Sequence, residues 1–150
     1  MQIRIAQTAD IETIFDIRTS VKENHQSREE IAELGITPDS VAQMLQTDCC
    51  AWIAELDGQP IGFAIANQTE QTIFGIFVLP QFEGRGAGRN LMAAAEAWLF
   101  AQGIEEIWLV TGNDPNLRAH GFYLRLGWLA AGVETAGDFA GEMRFVKHRD

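Results

Sequence analysis

Cysteine is almost missing from this 150-residue chain, which has only the neighbours Cys49 and Cys50. Two adjacent thiols build no disulfide framework. With histidines only at 25, 120 and 148 there is no zinc spacing, so no metal is expected and a reducing, cytoplasmic compartment is the default. Proline occurs four times and the fourteen glycines are scattered, leaving no linker and no internal repeat. No apolar run approaches the roughly 18 residues of a membrane span. Met1-Gln2-Ile3-Arg4-Ile5-Ala6 lacks a basic region followed by a long apolar one, so no secretory leader is expected either. Positive charge is also scarce: 11 Lys and Arg stand against 21 Asp and Glu, a net charge of −10. Residues 1–75 hold 4 basic and 12 acidic side chains and residues 76–150 hold 7 and 9, so neither half has the basic footprint of a nucleic-acid binder. Such a surface serves solubility first, and an acidic first half also attracts a cationic substrate such as an amine.

What remains is an ordinary globular composition, 47% hydrophobic and 21% charged, in a length that suits one domain over residues 1–150. Gln2–Ala6 alternates apolar and polar residues and predicts a strand. Thr8 or Asp10 caps a helix carrying Ile11, Ile14, Phe15, Ile17 and Val21. Ser27-Arg28-Glu29-Glu30 is a capping box for a second helix that Gly35 ends, and Thr37-Pro38 opens a third, running to Leu45 or Gln46. The period then switches to two. Strands are predicted at Ala51–Leu56 and Pro60–Asn67 around the hairpin signal Asp57-Gly58, and at Gln71–Leu79, where Gly75 suggests a bulge. A helix over Gly86–Ala101, a short buried strand over Ile107–Thr111, a helix over Asn116–Leu126 and strands over Trp128–Glu134 and Gly141–His148 complete a mixed α/β domain, its sheet covered by helices on both faces.

Two segments carry chemistry. Val78-Leu79-Pro80-Gln81-Phe82-Glu83-Gly84-Arg85-Gly86-Ala87-Gly88-Arg89 ends a strand, alternates glycines and starts a helix. Glycines let backbone N–H groups approach a ligand, and the helix N-terminus adds unpaired donors and partial positive charge, which together make a diphosphate cradle. The segment is no P-loop, since Gly-Lys-Ser/Thr is missing, and no dinucleotide fingerprint, since Arg89 stands where a third glycine belongs. Read alone, it is equally a turn that joins strand to helix. The second segment is Asn116-Leu117-Arg118-Ala119-His120-Gly121-Phe122-Tyr123-Leu124-Arg125-Leu126-Gly127-Trp128.

In these two segments the chain resembles the GNAT superfamily of acetyl-CoA-dependent N-acetyltransferases. Their first hallmark is a strand, Pro, then (Arg/Gln)-x-x-Gly-x-(Gly/Ala) opening a helix; their second is Asn-x-x-Ala-x-x-x-Tyr followed by Leu-Gly-Phe or a variant. Asn116, Ala119, Tyr123 and Leu126-Gly127-Trp128 fit the second, one helix and one strand after the first. The resemblance implies a mostly antiparallel mixed sheet of about seven strands, flanked by helices and splayed between the fourth and fifth. It implies acetyl-CoA lying in the splay, its pantetheine on the backbone of Ile76 and Val78, an oxyanion met near Phe77 or Val78, and the diphosphate on Gly84, Arg85, Gly86, Ala87, Gly88 and Arg89. Tyr123 would protonate the leaving thiolate and Asn116 would hold the cofactor or its water, although Tyr123 as a packing residue and Asn116 as a helix N-cap are the plain alternatives.

The chain departs from the family at two positions. Glu83 falls at the Arg/Gln place of the first motif, where a carboxylate beside a diphosphate is unfavourable. Thr111 falls where some relatives have a basic glutamate. The base therefore stays open among Glu70, Asp138, Glu134 and a water chain, and His120 reads as a solvated helix-face residue. For the acceptor, Arg18, Glu23, Asn24 and His25 offer both signs of charge after the first helix, suiting a small amine or amino acid-like molecule; an exposed loop is the plain reading. The implied function is acetyl transfer to a primary amine. An acyl-CoA sensor without turnover and a protein or peptide N-acetyltransferase are the alternatives, and a homodimer is expected by analogy.

Overall fold

A computed structural model of the protein describes residues 1–22 and 25–150. Its elements run β1 (Gln2–Ile5), α1 (Ile11–Arg18), α2 (Arg28–Glu33), α3 (Pro38–Thr47), β2 (Cys49–Leu56), β3 (Gln59–Asn67), β4 (Thr72–Val78), α4 (Ala87–Ala101), β5 (Glu106–Thr111), α5 (Arg118–Arg125), β6 (Leu129–Val133) and β7 (Met143–His148). The seven strands form one sheet in the order β1-β2-β3-β4-β5-β7-β6. Every neighbouring pair is antiparallel except β4–β5, which is parallel and registered only at Thr72 and Trp108. This is the expected GNAT-like sheet, with the expected splay between its fourth and fifth strands.

Local chemistry explains most boundaries. The Ser27 side chain accepts from the Glu30 N–H while Glu30 accepts from the Ser27 N–H, so the predicted capping box starts α2, and Thr37 with Pro38 starts α3. Asp57 and Gly58 both have positive φ (53° and 79°), the turn that matches the twist of a two-residue hairpin. The predicted bulge is present: Ile65 pairs with Gly75 and Ala66 with Ile73, so Phe74 is the extra residue. Two helix ends and one burial pattern stand apart from expectation. Helix α1 ends at Arg18, short of Val21. Helix α5 starts at Arg118, with Leu117 at its N-cap and no side-chain cap, so Asn116 lies outside it. Strand β5 is buried on one face only, with Trp108 and Val110 half-buried on the other.

Alternation divides the core. Trp52, Ala54, Ala64 and Ala66 pack with Leu91, Met92, Ala95 and Leu99 of α4 and with Tyr123 of α5. The opposite face sets Ala51, Ile53, Phe63 and Ile65 against Ile14 and Ile17 of α1. Arg4 joins β1, β2 and the start of α1 by pairing with Glu55 at 3.0 Å and Asp10 at 2.8 Å. That guanidinium holds the Asp10 carboxyl below its usual range. At the far side, Glu96 of α4 takes Lys147 Nζ at 2.8 Å and Trp128 Nε1 at 3.1 Å, and Lys147 also donates to the Leu126 carbonyl. These bonds lock α4 to β7 and to the end of α5.

Candidate active site

The site follows from the failure of β4 and β5 to continue pairing. Beyond Thr72 no β5 residue is in register with Ile73–Val78, so the backbone groups of β4 that face β5 have no strand partner among the described residues. The start of the splay is pinned. Thr72 Oγ1 donates to the Trp108 carbonyl at 2.6 Å, and Trp108 Nε1 donates to the Glu70 carbonyl at 2.8 Å. The gap opens into a cavity of about 1450 Å³. That exceeds the roughly 300–1,000 Å³ of an ordinary small-molecule pocket and leaves room for two reactants.

One end of the cavity is the β4–α4 loop. Gly84 and Gly86 have φ of +78° and +89°, which a Cβ would strain, and Gly86 is the N-cap of α4 with no side-chain cap. The 15-residue α4 carries no acid in its first turn, so its leading N–H groups and partial positive charge face the loop. Gly84, Gly86, Ala87, Gly88 and Arg89 line the cavity, as do Ile76, Phe77 and Val78. Arg85 does not, and its guanidinium lies 5.7 Å from the centre of the Phe82 ring. Glu83 forms an ion pair with Arg118 at the head of α5, which supplies the counter-charge that the first motif lacks. Gly88 lets α5 approach: a Cβ there would sit 3.2 Å from Phe122 Cζ.

Tyr123 lines the cavity from α5, 7% exposed, with Phe145 at 5.4 Å, Phe122 at 5.6 Å and Trp128 at 6.3 Å between ring centres. No protein hydrogen bond to its hydroxyl is found among the described residues. Burial pushes the phenol up to about 12, so it stays protonated and available as a donor. Asn116 is exposed, lies off the cavity lining, and its N–H donates to Asp114 Oδ1 at 3.0 Å. His120 is not a solvated residue: it is 8% exposed, its Nε2 lies 2.7 Å from the Gly112 carbonyl as donor, and its ring meets Phe145 edge-on.

The other end is lined by α1 and the far half of the sheet. Arg18 lies on the lining, with its guanidinium 4.3 Å from the centre of the Phe77 ring. His25 is exposed, off the lining, and its Nδ1 is 3.0 Å from the Val21 carbonyl; Glu23 and Asn24 lie outside the described residues. Of the candidate bases, Glu70 and Asp138 line the cavity, whereas Glu134 pairs with Arg144 away from it. Thr111 lines it too, 5% exposed. Sequence reasoning misses Glu142, a half-buried carboxylate on the lining with no hydrogen bond or ion pair among the described residues. Burial raises its pKa. It directly precedes Met143, the register partner of Thr111, so it lies next to the end of β5 in the sheet. No motif marks Glu142; only the β5–β7 pairing places it there.

The Acetyltransferase (GNAT) family matches residues 10–128. Among curated proteins, "Aminoglycoside N(6')-acetyltransferase type 1" of Salmonella typhimurium is 38% identical over 77 residues, 43% of this chain and 53% of that protein. The chain thus spans about half the length of the curated relatives it matches. Among solved structures, a GCN5-related N-acetyltransferase from Rhodopseudomonas palustris has a TM-score of 0.76 at 21% identity, covering 99% of this chain and 95% of that one. A chain described as "putative streptothricin acetyltransferase from Bacillus anthracis str. Ames in complex with acetyl coenzyme A" has a TM-score of 0.73 at 20% identity, covering 99% of each chain.

Proposed function

Since the chain belongs to the GNAT acetyltransferase family, we propose that it transfers the acetyl group of acetyl-CoA to a primary amine, with both substrates bound together. The observation that carries this reading is the open β4 edge running from the uncapped N-terminus of α4 to the phenol of Tyr123. The residues fit the co-substrate. The first-turn amides of α4 and the positive-φ glycines suit a diphosphate, and the β5-facing groups of Ile73–Val78 suit the pantetheine amides as an added strand.

Acetyl-CoA would supply the activated acyl carbon. An amine arrives as an ammonium and must lose a proton before it attacks; Glu142, raised by burial and without a partner, is the proton acceptor we assign. The nitrogen lone pair forms the new C–N bond while the C–S bond breaks. A backbone N–H at Phe77 or Val78 meets the charge growing on the carbonyl oxygen. Tyr123 passes its proton to sulfur and recovers one from the nitrogen, so one proton leaves per turnover. A phenol near 12 is matched to this task only if the thiolate is desolvated too. The same effect acts on a thiol elsewhere in this fold, where burial pushes Cys49 up to about 12.

Calorimetric titration with acetyl-CoA, CoA and dephospho-CoA tests the cradle, followed by thiol release in the presence of amines. Micromolar binding with amine-dependent thiol release is expected. Binding without release for any amine or peptide would favour an acyl-CoA-binding module, the reading that Thr111 at the end of β5 supports.

A further inference from the structure

Among the described residues, one buried side-chain nitrogen or oxygen has no hydrogen-bond partner: Nη1 of Arg18. A guanidinium N–H removed from water without an acceptor is costly, and native folds rarely keep one without a ligand, ion or water to meet it. The rest of the side chain is firmly held. Nη2 donates to Gln26 Oε1 at 2.8 Å, and the guanidinium plane rests on Phe77, 4.3 Å from the ring centre. One donor is therefore vacant on a residue that lines the cavity, next to an Nη2 that is held. Phe77 is also a β4 residue of the open edge, so the vacant donor lies one side chain away from the backbone that faces the reacting carbonyl.

Charge along this end of the cavity is divided. Arg18 and Lys22 enter from the α1 side. Glu70, Asp138 and Glu142 enter from the β3–β4 turn and from the connection before β7. A cavity that takes cations from the α1 side and carboxylates from these two connections fits a molecule that carries both charges. A polycationic amino sugar would set an ammonium against a buried guanidinium; a simple alkylamine would leave Nη1 unpaired.

We infer that the acceptor carries a carboxylate close to its primary amine, and that Arg18 is the specificity residue that binds it. The inference rests on the acetyltransferase reading above and deepens it: the substrate is a zwitterion of the amino-acid type. Its carboxylate pairs with the Arg18 guanidinium by a charge-assisted hydrogen bond that satisfies the vacant donor, and its amine is directed toward the lining carboxylates and the acyl carbon.

The test measures thiol release with free amino acids and with the matched amines that lack only the carboxylate, such as alanine against ethylamine and phenylalanine against phenethylamine. For the preferred amino acid, kcat/KM should exceed that of its decarboxylated partner by roughly tenfold to a hundredfold, the range of a hydrogen bond to a charged group. Arg18→Gln should collapse that ratio toward one by raising the KM of the amino acid, with acetyl-CoA affinity unchanged, and Arg18→Lys should restore part of it. The ratio itself separates this from a packing role, since a merely structural loss would lower kcat/KM for the amino acid and its matched amine alike and leave their ratio unchanged. Turnover confined to amines without a carboxylate, no turnover of any amino acid, or an unchanged ratio in Arg18→Gln overturns the inference while acetyl-CoA still binds. Failure of acetyl-CoA to bind would instead remove the acetyltransferase reading itself.

Discussion

Replacing Tyr123 by Phe removes one oxygen from the centre of the site and leaves the ring among Phe122, Trp128 and Phe145. The hydroxyl has no protein partner among the described residues, so its loss should change stability at pH 8 by less than about 1 kcal/mol. Its loss as a proton donor should cut kcat by roughly 10²–10⁴-fold while acetyl-CoA affinity stays within about twofold. The same phenol has a signature in stability. In the unfolded chain it ionises near its usual 10.0, whereas in the fold burial pushes it up to about 12. The folded state thus holds the proton more tightly, a contribution fully present below pH 10 and lost as pH rises toward 12. At about 1.4 kcal/mol per pH unit, with each state half-titrated at one end of that window, wild type should lose on the order of 2 kcal/mol across it from this group alone. Cys49 adds its own alkaline loss to both proteins, so the difference between wild type and Tyr123→Phe isolates the phenol. Steady-state thiol release, calorimetry with acetyl-CoA and urea melts at pH 8, 10 and 11.5 supply the three readouts. Equal losses of kcat and acetyl-CoA affinity would refute the donor role, and parallel alkaline melts would refute the burial argument.

Glu142→Gln should lower kcat and remove the acid limb of the pH–rate profile. The wild-type rate should rise as pH climbs through a Glu142 pKa raised by burial, with Asp138 and Glu70 on the same lining; a profile unchanged by the substitution would return the role to water. Gly86→Val forces a branched side chain into φ +89° at the mouth of the cradle, so about 1–2 kcal/mol of strain should accompany loss of CoA binding, and retained affinity in a folded variant would make the loop a mere connector. Glu96→Gln removes the charge that faces Lys147 and leaves one acceptor oxygen where two serve Lys147 and Trp128, so it should cost about 1.5–3 kcal/mol, roughly 5–10 °C in Tm, without changing acetyl-CoA KM.

Signals carried by neighbours in the chain are legible in the sequence. The capping boxes at Ser27 and Thr37, the Asp57-Gly58 turn and the bulge beside Gly75 are local agreements of residue type and backbone shape, and each appears where its residues predict it. The glycine loop and the spacing through Tyr123 identify the family for the same reason, since both motifs are continuous stretches that build one loop and one helix. Spacing misleads where the outcome depends on what packs alongside. His120 is buried because β7 brings Phe145 against it and Gly112 offers a carbonyl. Asn116 misses the N-cap because α5 starts two residues later.

By itself, then, the sequence determined the element order, the family and the two motif segments, since these depend on periodicity and on residues close in the chain. Only the tertiary structure decided where the charges of the site stand. Glu83 is answered by Arg118 from the head of α5, Glu142 reaches the end of β5 through strand pairing, and Arg18 is left with one vacant donor where α1 crosses Phe77. Each pairing joins residues far apart in the chain, and their partners, burial and desolvation are set by packing, which no local pattern encodes.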